Sequence, residues 1–210
     1  MTVEHIKAEI LAWQTALQAA DAGDFRGAIR LFEPISDTSK ILVNVALLHD
    51  RLGERAEAIA NFSQAIEMDG YLAIAYFQRG VAYFHAEEYD KALLDFSAAQ
   101  DKMRTNLEIN YEVLGLNYKL KLPEIHFNKW LTLRRLGRTT ESSILLQMMT
   151  QATPSPQMVA MIEAAQKSPE EAAPCSMVRP LPLYHHLINY MHMYSRWERC
   201  TDRRRARYSY

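Results

Sequence analysis

The chain has 210 residues, of which 49% are hydrophobic and 23% are charged, and its formal net charge is -1. This length allows a sizeable core, and one elongated domain followed by a tail is expected. The balanced charge excludes the overall basic field of a general nucleic-acid binder, and the two cysteines, Cys175 and Cys200, support neither a disulfide framework nor a zinc site.

The N-terminal segment and the hydropathy pattern argue against export and membrane insertion. No apolar run approaches the roughly 20 residues that a membrane-spanning helix needs. Charged or polar side chains occupy the positions where a signal peptide would be apolar; they are Glu4, His5, Lys7 and Glu9. The sequence therefore predicts a cytoplasmic protein without a transmembrane segment.

A pattern of alanine and phenylalanine repeats along the first half of the chain. Ala58 and Phe62 recur 34 residues later as Ala92 and Phe96, which is the tetratricopeptide period. Ala28 precedes Ala58 by 30 residues, so the first connection is shorter. Twelve positions before these alanines lie further small residues, namely Ala16, Ala46 and Gly80. Small side chains at both positions let the two helices of a repeat approach closely.

A fourth, more divergent repeat is predicted from about Pro123 to Thr150. Ser142 takes the alanine position and Leu146 the phenylalanine position, but Trp130 stands where a small residue is expected. This repeat must therefore pack differently from the other three.

About 16 extra residues separate the third repeat from the fourth, and they form an insertion over residues 103–122. Apolar and polar residues alternate in it on either side of Gly115. The apolar ones are Leu107, Ile109, Tyr111, Val113, Tyr118, Leu120 and Leu122. A period of two around a glycine predicts a short β-hairpin or paired extended segment.

These patterns predict an all-α fold: a right-handed tetratricopeptide superhelix of about four helix pairs, with a short β-hairpin-like insertion between repeats three and four. In such a superhelix, every connection from one repeat to the next emerges at the same edge. We call this surface the loop edge; it comprises the connections at about 34–40 and 68–72 and the insertion 103–122. Insertions in repeat proteins usually map to a binding face.

Four segments resemble one known family. They are "ISDTSKILVN" (35–44), "YLAIAYFQRGVAYF" (71–84), "MRTNLEINYEVLGLNYKLKL" (103–122) and, weakly, "MVRP" (177–180). Together with the repeat period, they are similar to the NADPH oxidase activator family, which includes neutrophil cytosol factor 2 and fungal regulatory subunits. The first segment is especially similar to the fungal branch.

The resemblance implies a partner and a surface. Members of this family bind the GTP-loaded form of a Rac-type small GTPase through the loop edge and help to assemble a superoxide-producing NADPH oxidase. Contact with the membrane flavoprotein would be indirect, and the chain would move from the cytoplasm to the membrane on activation. The implied GTPase contacts are Ser39, Asp69, Tyr71, Arg104, Asn106, Glu108 and Asn110. The mammalian pattern differs at three of them: it has histidine at Tyr71, an apolar residue at Glu108 and aspartate at Asn110.

Each implied contact has a purely structural alternative. Ser39 and Asp69 stand near helix ends and could cap helices. Arg104 could be an ordinary solvated arginine. Asn106 and Asn110 could satisfy the backbone of a turn or hairpin.

The C-terminal part loses the helical period and accumulates prolines. A short helix is predicted at about Pro156 to Gln166, so the repeat domain would cover residues 1–166. The resemblance implies that the extended segment 167–182 folds back into the groove of the superhelix. Residues 183–210 form a basic tail that is expected to be flexible. Its histidines, His185, His186 and His192, lack carboxylate or thiolate partners at ligand spacing, so no metal site is predicted.

No motif for catalysis is present: the sequence contains neither a phosphate loop nor a nucleophile elbow nor a metal motif. A non-catalytic adaptor without a cofactor is predicted. The alternative is a generic tetratricopeptide scaffold that binds a peptide or a helical partner in its concave groove. A clamp that grips a C-terminal carboxylate with lysine, arginine and asparagine on the first helix of each repeat is disfavoured. Only Asn44 matches such a clamp, and the other positions hold Trp13, Leu17, Ile74 and Gln78.

Overall fold

The computed structural model describes residues 3–112, 118–152, 154–168 and 172–174, with side chains from residue 7 onward. Within these ranges the helices and strands are α1 (Val3–Asp21), α2 (Phe25–Phe32), a 3-10 turn (Glu33–Ile35), α3 (Ser39–Arg51), α4 (Arg55–Met68), α5 (Ala73–His85), α6 (Tyr89–Met103), β1 (Glu108–Asn110), β2 (Lys119–Lys121), α7 (Leu122–Arg135), α8 (Thr139–Gln151) and α9 (Pro156–Lys167).

The helices form four antiparallel pairs, which are α1 with α2, α3 with α4, α5 with α6, and α7 with α8. The second helix of each of the first three pairs also packs against the first helix of the next pair. This arrangement confirms the predicted tetratricopeptide fold. None of the helices in the described ranges is long and apolar enough to cross a membrane.

The small residues act as the repeat pattern predicts. Ala16 and Ala46 are fully buried. At Gly80, a Cβ atom would lie only 2.8 Å from the ring of Phe96, so α5 and α6 are too close for any side chain there. Close helix contact within a repeat therefore depends on these positions.

The turns inside the repeats share one backbone conformation. Gly23, Gly53 and Gly137 have φ angles of 84°, 76° and 71°. Glu87 occupies the corresponding turn of the third repeat with φ 61°. A side chain is disfavoured in this left-handed region, so the third repeat carries local strain that the other three avoid.

Replacing Glu87 by glycine should stabilise the protein. Relief of the left-handed strain exceeds the extra chain entropy that glycine brings to the unfolded state, for a net gain of roughly 0.5–1 kcal/mol. Urea denaturation would measure the gain as a higher midpoint. Glu88→Gly is the matched control: Glu88 has φ -85° and pairs with Lys91, so the same change there should lower the midpoint. A lower midpoint for Glu87→Gly would contradict the strain argument.

The divergent fourth repeat has its large and small side chains at different positions from the other three repeats. Trp130 is 2% exposed, and its ring centre lies 5.7 Å from that of Phe127. The partner helix α8 has Ser142 and Leu146 in place of the alanine and phenylalanine, and Leu146 packs only partly buried against the core. The large buried ring of this repeat thus lies on its first helix and not on its second, as expected for a repeat that packs differently.

The insertion contains the predicted hairpin. Strands β1 and β2 are antiparallel, and Ile109 is paired with Leu120. Leu120 is fully buried in the same core cluster as Met103 and Tyr111, so the hairpin is part of the core. The tip of the hairpin, residues 113–117, lies outside the described residues.

The last described residues contact the fourth repeat. A guanidinium nitrogen of Arg134 donates to the carbonyl of Ala165 in α9 at 2.9 Å, and one of Arg135 donates to the carbonyl of Ala172 at 3.3 Å. Most of the segment 167–182, both cysteines and the whole tail 183–210 lie outside the described residues. The fold-back into the groove, the tail and the domain boundaries stay predictions.

Candidate functional site: the loop edge

The connection between α4 and α5 exposes one aromatic ring. Asp69 follows the last residue of α4, and its carboxylate accepts a hydrogen bond from the backbone N–H of Tyr71 at 3.0 Å. Leu72 is buried, whereas Tyr71 is 74% exposed. The local turn thus anchors Leu72 in the core and points the ring of Tyr71 outward. This bond lies in the connection before α5 begins, so the Asp69 side chain does not cap that helix, which was the alternative to partner contact. Its other carboxylate oxygen remains available.

The insertion begins with a strained turn at Arg104. The backbone N–H of Asn106 donates to the carbonyl of Met103 at 3.0 Å, which closes a tight turn directly after α6. Arg104 stands at its first central position with φ 54° and ψ -118°. Glycine dominates this position in turns of this type, because a Cβ is disfavoured there. The surrounding structure must therefore hold the backbone of Arg104 in this conformation. Its side chain is exposed.

Tyr71 joins the connection to the insertion. The guanidinium carbon of Arg104 lies 5.8 Å from the centre of the Tyr71 ring, and the ammonium of Lys102 lies 5.2 Å from it. Both distances are typical of cation–π contacts. Two residues that are more than thirty positions apart in sequence, Tyr71 and Arg104, therefore form one surface.

A buried tyrosine fixes the hairpin against α5. The hydroxyl of Tyr111 accepts a hydrogen bond from the backbone N–H of Ile74 at 3.2 Å. This N–H belongs to the first turn of α5, where backbone donors have no partner within the helix. Tyr111 is 4% exposed, and burial raises its pKa to about 12. The phenol therefore stays neutral, and the insertion is tied to the helix that follows Tyr71.

Two further predicted contacts lie on the hairpin itself. Glu108 forms an ion pair with Lys119 of the neighbouring strand at 3.6 Å. Asn110 accepts a hydrogen bond from the backbone N–H of Glu112 at 2.9 Å and donates to the Glu112 carboxylate at 3.1 Å. The structure thus gives Asn110 the backbone role that was its alternative. Asn106 and Glu108 are exposed beside them.

Ser39 stands apart from the other six predicted contacts. It is the first residue of α3, and the neighbouring Thr38 caps that helix, accepting from the N–H of Ile41 at 3.4 Å. Ser39 is therefore not the cap. Among the described residues, no side-chain hydrogen bond, ion pair or ring contact links Ser39 to the other six.

The loop edge also exposes apolar side chains that the sequence did not single out as binding residues. Met68 is 54% exposed and Leu107 is 74% exposed. The alternating pattern placed Leu107 on the apolar face of the hairpin with Tyr111, but β1 begins one residue later and Leu107 faces outward. Exposed apolar groups next to charged ones are typical of protein-binding surfaces.

Comparison with known proteins finds one matching repeat family and several proteins of similar sequence. The tetratricopeptide repeat family matches residues 39–71, which cover α3, α4 and the connection that carries Tyr71. Neutrophil cytosol factor 2 of Bos taurus is 38% identical over 120 residues, and the NADPH oxidase activator of Dictyostelium discoideum is 33% identical over 143 residues.

Over this region, the chain is similar to members of the NADPH oxidase activator family. The matches cover 57% and 68% of the chain but 23% of each relative, so the chain spans less than a quarter of their length. The resemblance drawn from the four sequence segments is confirmed at the level of the family and its tetratricopeptide region.

Solved structures support the fold alone. A crystal structure of MamA protein superposes with a TM-score of 0.55 at 14% identity, covering 84% of this chain and 83% of that one. YrrB, described as a tetratricopeptide protein with an unusual peptide-binding site, gives 0.58 at 13% identity and 73% coverage of each chain.

Proposed function

We propose that this chain is a regulatory adaptor that binds a GTP-loaded Rac-type small GTPase through the loop edge. In doing so, it helps to assemble or activate a superoxide-producing NADPH oxidase and is recruited from the cytoplasm to the membrane. Relatives named NADPH oxidase activator support the regulatory role. The GTPase and the seven contact residues come from the family resemblance.

The observation that carries the proposal is the turn at Arg104. A non-glycine residue with φ 54° persists only where its surroundings hold it, and such residues cluster at binding and catalytic sites. Here the strained backbone directs an exposed guanidinium onto the ring of Tyr71. Arginine and tyrosine are both enriched among residues that dominate binding energy at protein interfaces.

The nucleotide dependence has a physical basis in the partner. In small GTPases, the γ-phosphate and its Mg²⁺ order the switch segments, and hydrolysis releases them. A rigid surface that fits the ordered segments binds the GTP state more tightly, because the GDP state must first lose conformational freedom. The hydrogen bond of Tyr111 to α5 supplies rigidity on the adaptor side.

Charge reversal at Arg104 should abolish most of the binding. Losing a central arginine and placing a carboxylate there should cost at least about 2 kcal/mol, which corresponds to a roughly 30-fold higher Kd. Isothermal titration with Rac loaded with GTP or GDP analogues would measure this for Arg104→Glu. Arg55→Glu is the matched control: Arg55 is an exposed arginine at the start of α4, at the opposite end of that helix from Asp69.

We expect wild type and Arg55→Glu to bind the GTP form alike and the GDP form much more weakly. Equal binding to both nucleotide forms would contradict the proposed partner state. An unchanged Kd for Arg104→Glu would contradict the proposed surface.

A further inference from the structure

In the part of the chain that the structure describes, most cations that lie over aromatic rings also have an acceptor inside the protein. Arg79 is bonded to Asp95, Lys91 is paired with Glu88, and Arg134 and Arg135 donate to backbone carbonyls. Their contacts with tyrosine, tryptophan and phenylalanine rings accompany an internal hydrogen bond or ion pair. These four cations are therefore satisfied by the fold itself.

Lys102 and Arg104 differ from this group. Lys102 lies 5.2 Å from the ring centre of Tyr71 and 5.8 Å from that of Tyr76, and Arg104 lies 5.8 Å from Tyr71. Within the described part of the chain, neither cationic group is bonded to a carboxylate or a carbonyl. Two positive charges thus share one ring that is 74% exposed, without an internal acceptor.

We propose that Lys102 is a further partner-contacting residue and that Tyr71 positions Lys102 and Arg104 side by side to bind an acidic segment of the GTPase partner. The inference rests on the proposed function and adds the chemistry of the contact. The negative face of the ring attracts both cations and limits their rotamers, which lowers the entropy cost of binding. Acceptors on the partner would then neutralise two charges that otherwise repel each other.

The surroundings favour a protein as the source of these acceptors. Met68 and Leu107 expose apolar surface on the same edge, 54% and 74% of each residue. A protein interface combines apolar contacts with charged ones at its rim, whereas the headgroup layer of a membrane would use the cations alone. The acidic segment is therefore assigned to the GTPase.

The experiment is a titration of GTP-loaded Rac at low and at physiological ionic strength with single variants of the full chain. We expect Lys102→Gln to raise Kd about fivefold or more, with the larger effect at low salt. Tyr71→Leu should raise Kd comparably because it removes the ring, and Tyr71→Phe should lose less because it keeps the ring. Since part of the effect of Tyr71 passes through Lys102, the double variant Lys102→Gln/Tyr71→Leu should lose less than the two single losses combined.

Lys91→Gln is the matched control. Lys91 lies 5.3 Å from the ring centre of Tyr83 near the other end of α6, but it is paired with Glu88, so its loss should leave Kd unchanged. Circular dichroism melting of each variant would show that the fold is retained.

The outcomes separate the two proposals. If Arg104→Glu weakens binding but Lys102→Gln matches Lys91→Gln, the inference is wrong and the proposed function stands. Additive losses in the double variant would contradict the positioning role of Tyr71. If wild type itself does not bind GTP-loaded Rac, both proposals fail. Binding to phosphatidylserine vesicles that depends on Lys102, with unchanged Kd for Rac, would assign the cations to a membrane and overturn the inference.

Discussion

Trp130→Ala should lower the free energy of unfolding by about 3–5 kcal/mol, the usual cost of removing a large buried aromatic side chain. Trp130 is 2% exposed and occupies the position that holds alanine or glycine in the other repeats. The facing helix has no phenylalanine to expand into the space, so the cavity would stay largely open. Phe127 would lose a neighbour whose ring centre is 5.7 Å away.

Urea denaturation followed by circular dichroism measures the loss. Trp13→Ala is the control, because Trp13 is only partly buried and lies at the edge of the first repeat, in contact with Phe32. Its replacement should cost clearly less. A loss below about 1 kcal/mol for Trp130→Ala would show that the fourth repeat does not depend on the indole.

Arg79→Leu should also cost about 3–5 kcal/mol, because it leaves a carboxylate buried without its cation. Two nitrogens of Arg79 in α5 donate to the two oxygens of Asp95 in α6, at 2.7 and 2.8 Å, and a third donation reaches Ser63 in α4 at 2.9 Å. The Asp95 side chain is 7% exposed. The hydrogen bond to Asp95 raises the pKa of Arg79, so the guanidinium remains charged.

The double variant Arg79→Leu/Asp95→Leu distinguishes the cost of the orphaned charge from the value of the pair. Replacing both partners by apolar side chains should recover most of the stability, since an apolar pair of similar volume often substitutes for a buried ion pair. Equal stability of the single and double variants would contradict this account, because the loss would then come from the missing arginine alone.

The fold was predictable because the residues that pack the two helices of a repeat recur at a fixed spacing in the sequence. Ala58 and Phe62 recur as Ala92 and Phe96 because two helices must approach closely around one aromatic ring, and the structure buries all four. The hairpin was predictable from its period of two. The packing of Trp130 was only partly predictable. The repeat pattern shows that a large residue stands at a small-residue position, but the neighbours that accommodate it depend on three-dimensional packing.

The candidate site was harder to predict from the residues alone. Proximity of Tyr71 to Lys102 and Arg104 follows from the way α4, α5 and α6 pack, and no local pattern encodes it. The left-handed backbone of Arg104 has no signal either, because arginine rarely occupies that conformation. The alternating pattern predicts Leu107 as a core-facing strand residue, but β1 begins only at Glu108.

Hydrogen–deuterium exchange with GTP-loaded Rac tests the loop edge most directly as the binding surface. We expect slower amide exchange at residues 68–72 and 103–111 with the GTP form but not with the GDP form. Exchange beyond the first turn of α3, α5 and α7 should stay unchanged; these are the first helices of repeats two to four, which a partner in the concave groove of a tetratricopeptide superhelix would contact. Protection confined to those helices, with free exchange at the loop edge, would contradict the account and would instead favour a partner bound in the concave groove.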